Sequence, residues 1–516
     1  MPLSEKLKQA LLPNAFALLA LLLGGLTVLA FAPFEFSPLA VVGLAGLFWL
    51  WIQRAQNPWQ AFKYGLWFGL GQFGVGVSWL FSSIYFYSDT GLAGSIALVA
   101  GFVLVLALFP AFAGALARYF YNPKFIGSAL IWVFPAAWVL FELIRSHILG
   151  GLPFLLVGTS HLGSWLDGYA PVFGVYGVSF TVAMSAGLVV WFLAYKQVMP
   201  AALVMAFLWP IGGVLQKTDW VKPVDQPISV ALLQGNISQD QKWQSAQFIP
   251  MMRQYISMTR DNLDAQLIVW PETAIPGYFD QAAATVLNQF VADAQLQSRD
   301  ILVGAITREQ RGGDYYNAML NLRDPSQEYR KRHLVMFGEY YPLPGLVEKL
   351  ASSFGFPFSQ FSAGETDQPL MTLAGQPAGV SVCFEMMFGA EIARDLPEAR
   401  FLVTASNDAW FAHTLEPAQL RQEAQMRARE LGREIVRATN TGYTVIIDAK
   451  GQIKAEIPPY EVGVLRGEVQ PYQGSTPYVF WTNWPIWLIV LGVFGFILAK
   501  RYSLTGKISN PFNRKK

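Results

Sequence analysis

Gly379-Val380-Ser381-Val382-Cys383-Phe384-Glu385 holds the only cysteine of the chain. An apolar run of β character ends at Cys383, and a polar turn follows. A lone thiol has no internal disulfide partner, and at the end of a strand it stands where a nucleophile is useful. A single cysteine is also commonly a small buried hydrophobe, so its meaning depends on what the rest of the chain brings to it.

Two other segments bring ionisable groups. Leu267-Ile268-Val269-Trp270 runs into Pro271-Glu272-Thr273. A carboxyl just past a buried strand sits at the rim of a sheet, where burial raises its pKa and suits it to act as a base. On its own, a Glu in such a turn is more often an ordinary solvated residue. Tyr329-Arg330-Lys331-Arg332-His333 leads into Leu334-Val335-Met336-Phe337-Gly338-Glu339. Its cations read either as a charged surface face or as a face with one cation turned inward onto an oxyanion. A thiol, a carboxylate and an ammonium form a complete set for acyl transfer. The carboxylate takes the thiol proton, the thiolate attacks a carbonyl, and the ammonium with the N–H of Phe384 stabilises the tetrahedral oxyanion. The product is a thioester that passes its acyl group to an amine or to water.

Other chemistries are disfavoured. The four histidines, His147, His161, His333 and His413, lack metal-ligand spacing, and a single cysteine excludes a thiolate zinc site. No Gly-rich phosphate loop follows a strand, and no long basic run suggests nucleic acid. Neither a metal nor a cofactor is expected.

The 516 residues exceed one ordinary domain. Hydrophobic residues make up 53% and charged residues 14%, an unusual balance for a water-soluble protein. The charge is unevenly placed: of 37 Lys and Arg and 35 Asp and Glu, only 13 lie in residues 1–215. A membrane helix needs about 20 mostly apolar residues, and candidate spans fall near 13–31, 37–53, 61–83, 91–117, 126–146, 174–195, 198–215 and 482–499. Lys6 and Lys8 before an apolar stretch imitate a signal peptide, but Pro33 after the apparent cleavage site favours a retained helix. With a cytoplasmic N-terminus, the inner connections hold Arg54, Lys63, Arg118, Lys124 and Lys196, and the basic C-terminal tail is also inside. Eight spans then place the polar part outside the cytoplasm. The expected division is a membrane domain over 1–220, a catalytic domain over 221–475, and an eighth helix with its tail over 476–516.

Within the polar part, β-rich runs such as 228–234, 267–270, 301–306, 318–322, 379–383, 401–405 and 434–438 alternate with helical stretches near 240–264, 280–297, 387–395 and 415–432. This alternation predicts an α/β domain with helices covering sheets. The segment from 340 to 362, rich in Pro, Gly and Phe, reads as a long loop of the kind that forms lids. Its Phe354, Phe356, Phe358 and Phe361 either dip into a lipid interface or pack on the domain itself. Glu142 and Arg145, one turn apart near the end of the fifth span, are either a functional pair or a structural one.

Trp270-Pro271-Glu272, Lys331 and Val382-Cys383-Phe384-Glu385, in that order, resemble the nitrilase superfamily. Seven spans before such a domain and one after it resemble its membrane-embedded branch, the apolipoprotein N-acyltransferases. Gln234-Gly235-Asn236-Ile237 with Trp243, Phe337-Gly338-Glu339, and Ser406-Asn407-Asp408-Ala409-Trp410-Phe411 extend the resemblance over nearly the whole chain. Met336 and Phe384 depart from the pattern, standing where the family has Pro and Tyr; the N–H of Phe384 is unaffected.

The resemblance implies an αββα sandwich outside the cytoplasmic face of a bacterial inner membrane. It implies Glu272 as base, Lys331 as oxyanion holder and Cys383 as nucleophile. Glu339, Glu385 and Asn317 would support them, with Phe384 next to the nucleophile and Trp243 and Trp410 lining the substrate opening. The implied partners are a phospholipid donor, typically phosphatidylethanolamine, a diacylglyceryl-modified apolipoprotein, and the bilayer. Two other readings stay open: a membrane-tethered amidase that gives the acyl group to water, and a transporter built around Gly71, Gly74 and Gly76.

Overall fold

The computed structural model describes residues 3–296, 298–309, 313–341, 360–411 and 413–508, with side chains from 14 to 501. The apolar first part folds into helices because no other backbone arrangement satisfies its own hydrogen bonds away from water. These are α1 (Leu3–Val28), α2 (Pro38–Gln53), α3 (Pro58–Gly76), α4 (Leu80–Tyr87), α5 (Gly91–Phe120), α6 (Ile126–Ser128), α7 (Phe134–Arg145), α8 (Ala170–Tyr195) and α9 (Val198–Lys217). A π-helical stretch, Ala129–Val133, joins α6 to α7.

Among the described residues, five helical segments are long and apolar enough to cross a bilayer: Gly91–Phe120, Pro123–Arg145, Trp165–Tyr195, Val198–Lys217 and Trp484–Arg501. Asn14–Val28 and Pro38–Gln53 are apolar but shorter. Large apolar side chains such as Phe207, Val214, Leu193, Leu488 and Phe496 point outward from the bundle, as a lipid-facing surface does. Small residues let the helices approach closely: a Cβ at Gly71 would stand 1.9 Å from the carbonyl oxygen of Leu21.

The third expected span, 61–83, is not one helix. α3 ends at Gly76, Val77 leaves the helical region with ψ of 19°, and α4 starts at Leu80. The freed carbonyl of Gly76 accepts a hydrogen bond from Gln419 Nε2 at 3.0 Å. A polar partner from the distant part of the chain thus replaces the next helical turn.

Beyond α9 the period of two takes over. One sheet runs in the order β14 (Gly463–Val469), β2 (Ile228–Gln234), β3 (Leu267–Val269), β5 (Asp300–Arg308), β6 (Tyr315–Asn321) and β7 (Glu328–Arg330), with β4 (Ile275–Tyr278) beside β5. The other runs β13 (Ile453–Ile457), β12 (Thr444–Ile447), β11 (Ile435–Thr439), β10 (Phe401–Ser406), β9 (Gln376–Val382) and β8 (Met371–Leu373). A short ribbon of β1 (Val221–Pro223) and β15 (Tyr472–Gly474) closes the base. The central strands β2, β3 and β5 are parallel to one another, as are β9, β10 and β11. They are nearly continuous apolar runs because both faces are covered.

Val230, Leu232, Val269 and Leu302 of the first sheet meet Val380, Val382, Val403 and Val436 of the second, forming the core between the sheets. Outside the first sheet lie α11 (Ser245–Arg260) and α13 (Asn288–Gln295), preceded by the short α10 (Gln239–Lys242) and α12 (Phe279–Ala284) respectively. Outside the second lie α14 (Gly389–Ile392), α15 (Glu416–Leu431) and α16 (Pro477–Trp481). The layers are therefore helix, sheet, sheet, helix. The chain returns to the bundle through α17 (Trp484–Ile508).

α15 lies between its sheet and the bundle and is buried nearly all round although it is strongly polar. Its side chains meet the bundle one by one. Gln419 Oε1 accepts from Trp79 Nε1 at 3.1 Å, and Gln422 Oε1 from the Ala32 N–H at 3.1 Å. Arg429 lies 3.4 Å from Asp167, and Glu430 Oε1 accepts from the Val175 N–H at 2.5 Å.

Candidate active site

In the two central parallel sets the C-terminal strand ends point the same way, and polar residues gather there. β3 delivers Glu272, β9 delivers Cys383, β10 delivers Asn407 and Asp408, and β11 delivers Asn440. Side chains just beyond parallel strands face a common crevice. Lys331 arrives from the other edge, directly after β7, where its N–H donates to the Asn317 carbonyl at 2.8 Å.

Lys331 is buried, with Nζ 2.9 Å from Glu339 and 3.7 Å from Glu272. Asn317 Nδ2 donates to Glu272 Oε1 at 2.7 Å and to Glu339 Oε1 at 3.1 Å. The other Glu272 oxygen accepts from the Asn407 N–H at 2.8 Å. Burial alone would pull the Lys331 ammonium down, but the carboxylates of Glu339 and Glu272 outweigh it and hold the group above the usual lysine range. It is charged throughout the physiological range.

Cys383 has φ of +54°, in the left-handed region that non-glycine residues rarely adopt. That conformation turns the chain sharply from β9 into the helical turn Cys383–Met387 and projects the sulfur from the strand end. Cys383 is half-buried as a residue, and the nearby Ser406 hydroxyl donates to Asp408 Oδ1. Burial and the charge of Glu272 push it well above the usual thiol range, against the pull of Lys331. The environment therefore favours the neutral thiol form of Cys383. The N–H of Phe384 lies in the first turn after Cys383, where no carbonyl of the same turn is available to it.

Glu385 is held by a separate set of donors, although the Lys331 charge also acts on it. Its carboxylate accepts from the Val382 N–H at 2.6 Å, the Arg332 N–H at 2.6 Å, the His333 N–H at 3.0 Å and the Tyr329 hydroxyl at 2.9 Å. It ties the turn carrying Cys383 to the segment carrying Lys331. Behind it, Arg332 pairs with Asp395 at 2.9 Å.

Residues 23–188 match the apolipoprotein N-acyltransferase N-terminal domain, and residues 229–478 the carbon-nitrogen hydrolase domain. A Methylococcus capsulatus apolipoprotein N-acyltransferase is 42% identical over 94% of this chain and 96% of its own length. The proteins of that name from Nitrosomonas europaea and Pseudomonas syringae pv. tomato are 38% and 37% identical, over 93% and 95% of this chain and 95% and 97% of their own lengths. This chain belongs to the apolipoprotein N-acyltransferase family. It joins that family's N-terminal domain to a carbon-nitrogen hydrolase sandwich.

The site lies on the side of the sandwich that meets the helical bundle. Phe384 stacks against Phe154 of the bundle, with ring centroids 6.2 Å apart, and meets Phe388 edge-on at 5.1 Å. His333 stacks on Phe388 at 3.8 Å, and its nitrogens reach the Gly150 carbonyl at 2.7 Å and Glu391 at 3.0 Å. Burial works against its charge, yet Glu391 and the Gly150 carbonyl raise its pKa. Tyr87 of α4 reaches the Ala409 carbonyl at 3.4 Å and packs edge-on against Trp410 at 5.0 Å. Trp243 is half exposed beside the buried Lys242.

Glu142 and Arg145 do not bond each other. Glu142 accepts from Trp138 Nε1 at 3.0 Å and from the Val157 N–H at 2.9 Å, while Arg145 donates to the carbonyls of Leu152 and Phe154. Both tie down the loop that presents Phe154 to the site. Most of the expected lid, with Phe354, Phe356 and Phe358, lies outside the described residues. Phe361 is described, and it packs on the sandwich: its ring meets Tyr315 at 4.9 Å and its N–H bonds the Glu339 carbonyl at 3.0 Å.

Sequence reading did not assign roles to Lys242, Tyr329, Ser406, Asn407, Asp408 or Asn440. The signal was present for four of them, since Ser406-Asn407-Asp408 and Asn440 end or follow apolar strands as Glu272 does.

Proposed function

We propose that this chain takes an acyl chain from a membrane phospholipid onto Cys383 and transfers it to the α-amino group of the N-terminal diacylglyceryl-cysteine of a lipoprotein. Glu272 removes the thiol proton as the sulfur attacks the ester carbonyl. The oxyanion forms against Lys331 Nζ and the Phe384 N–H, as preorganised donors require. Collapse breaks the ester C–O bond, and the departing lysophospholipid oxygen takes the proton from Glu272. In the second half, the lipoprotein amine attacks the thioester. Glu272 accepts the amine proton, the C–N bond forms, the C–S bond breaks, and the proton returns to sulfur. Glu339 and Asn317 keep Glu272 and Lys331 in register, Glu385 joins the two active-site segments, and Trp243 and Trp410 flank the opening.

The observation that carries this reading is the convergence of Glu272, Lys331 and Cys383 on the face of the sandwich that packs against apolar helices. Both substrates carry acyl chains, and a site opening toward a bilayer lets those chains stay in an apolar medium. The distribution of Lys and Arg supports eight spans, cytoplasmic termini and a sandwich on the outer face of the bacterial inner membrane. The same pattern supports a membrane domain over 1–220, a catalytic domain over 221–475 and an anchoring helix with a basic tail over 476–516. Phosphatidylethanolamine is the proposed donor.

The test is intact mass spectrometry of the purified protein after exposure to phosphatidylethanolamine vesicles. An added acyl mass on wild type, absent from Cys383→Ala and discharged by a diacylated lipopeptide, supports the reading. A wild-type protein that gains no acyl mass, or that loses it to water as fast as to lipopeptide, overturns it.

A further inference from the structure

Lys242 ends α10, inside the segment that joins β2 to α11, and it is buried with 4% of its surface exposed. Its Nζ donates to the main-chain carbonyl of Glu272 at 3.2 Å. The surrounding backbone is held for this purpose by side-chain amides. Asn440 takes the Ile237 N–H at 3.0 Å and donates to the Ile237 carbonyl at 2.7 Å. It also bonds Asn407 at 2.9 Å, and Asn407 in turn bonds Gln239 of α10 at 2.9 Å. Asn407 is the same residue whose N–H holds the Glu272 carboxylate. One belt of amides therefore fixes both α10 and the proposed base.

Charge gives the burial a purpose. Glu272 and Glu339 share Lys331, two carboxylates against one ammonium in a buried site. An uncompensated buried charge is costly, and ionising Cys383 there would add another negative group. The charges of Glu272 and Cys383 both act on Lys242, so the second ammonium balances the pocket. Beyond these, Asp408 and Glu416 lie on the sandwich side, Asp240 on α10 itself and Tyr87 on the bundle side.

We propose that Lys242 is a positioning residue of the acyl-transfer site, pinning the main chain at Glu272 and supplying the second positive charge that allows the Cys383 thiolate to form. The inference rests on the reading of Cys383 as nucleophile. Burial lowers Lys242 to about 8, with Glu272 and Cys383 opposing the shift. The residue therefore discharges within the accessible pH range, where an arginine would not.

Because the chain has one cysteine, alkylation by iodoacetamide, followed by intact mass, reports thiolate formation at Cys383 without any acyl substrate. The full-length protein, Lys242→Met and Lys242→Arg are compared from pH 6.5 to 10. At pH 7.5 the Met variant should react about tenfold more slowly, as a thiol shifted upward by one unit does, and the Arg variant within about threefold of wild type. The wild-type rate should lose slope near pH 8, and the Arg variant should rise without that bend. Superimposable profiles, or equal impairment of both variants, overturn the proposal. If the Met variant does not fold, the bend decides: its persistence in Lys242→Arg overturns the proposal, and its loss supports it. The same samples are then given phosphatidylethanolamine vesicles. If the variants differ in alkylation as expected while wild type takes no acyl mass, the acyl-transfer reading fails and the charge role of Lys242 stands.

Discussion

Replacing Glu385 by Gln changes one atom and separates the two halves of the proposed machinery. In the native protein Glu385 Oε1 accepts from the Arg332 and His333 N–H groups, and Oε2 from the Val382 N–H, while the Tyr329 hydroxyl lies 2.9 Å from both. A glutamine oxygen placed at the Oε1 position keeps the first two partners. Its NH2 then faces the Val382 N–H, leaving a buried donor unpaired at a cost of about 1–3 kcal/mol. The retained bonds lose their charge assistance, about 1 kcal/mol each. Burial already raises the Glu385 pKa, so neutralisation returns part of the loss. We expect a net cost of about 2–4 kcal/mol, which the fold survives if its stability lies in the ordinary range. Catalysis suffers more. Arg332 and His333 immediately follow Lys331, and a shift of about 1 Å in a positioned group costs about 100-fold. Time-resolved intact mass with phosphatidylethanolamine vesicles measures thioacyl formation, and tryptophan fluorescence measures thermal unfolding. An E385Q protein that acylates at the wild-type rate with an unchanged unfolding temperature would refute the reasoning.

Asn317→Asp puts a third carboxylate against Glu272 and Glu339; thioacyl formation should fall at least about 100-fold at pH 7 and recover partly toward acid pH, as seen in the pH dependence of adduct accumulation. Arg437 and Asp408 form a fully buried pair at 3.1 Å, so Arg437→Ala strands a buried carboxylate and should cost about 3–5 kcal/mol; yield and limited proteolysis of the sandwich report it. Glu423 and Glu430, both beside Arg427, are each raised to about 7, chiefly by burial. Their folded values lie above the 4.5 of a free carboxyl, so folding takes up protons and stability falls as pH rises from about 4.5 to about 7. Glu423→Gln should flatten that dependence and raise the unfolding temperature at pH 8, measured by fluorescence in detergent.

Much of the site was legible because parallel strands announce themselves. Leu267–Val269 and Gln376–Val382 are apolar runs with a chemically active residue just past the end, and both Glu272 and Cys383 follow from that pattern. Lys331 was harder to place, since Arg330, Lys331 and Arg332 are equivalent in composition. Pairing of β7 with β6 decides between them: it leaves Lys331 buried at the Asn317 carbonyl, while Arg330 pairs with Glu328 and Glu309. Expected strand limits at 318–322 and 434–438 differ from Tyr315–Asn321 and Ile435–Thr439, because inter-strand pairing, not residue type, ends a strand. The single helix expected over 240–264 is split into α10 and α11 at Trp243 and Gln244, with the buried Lys242 at the end of α10.

Sequence alone determined the split between an apolar bundle and a polar α/β domain, the alternation that makes layers, and the three residue types at the proposed centre, since each follows from local period and composition. Tertiary structure decided where the polar helix Glu416–Leu431 goes. Its composition reads as a solvated helix, yet Gln419, Gln422, Arg429 and Glu430 bond Trp79, Gly76, Ala32, Asp167, Gln216 and Val175, residues more than 200 positions away. A buried polar group is tolerated only when each partner is supplied, and no local pattern encodes a partner that far along the chain.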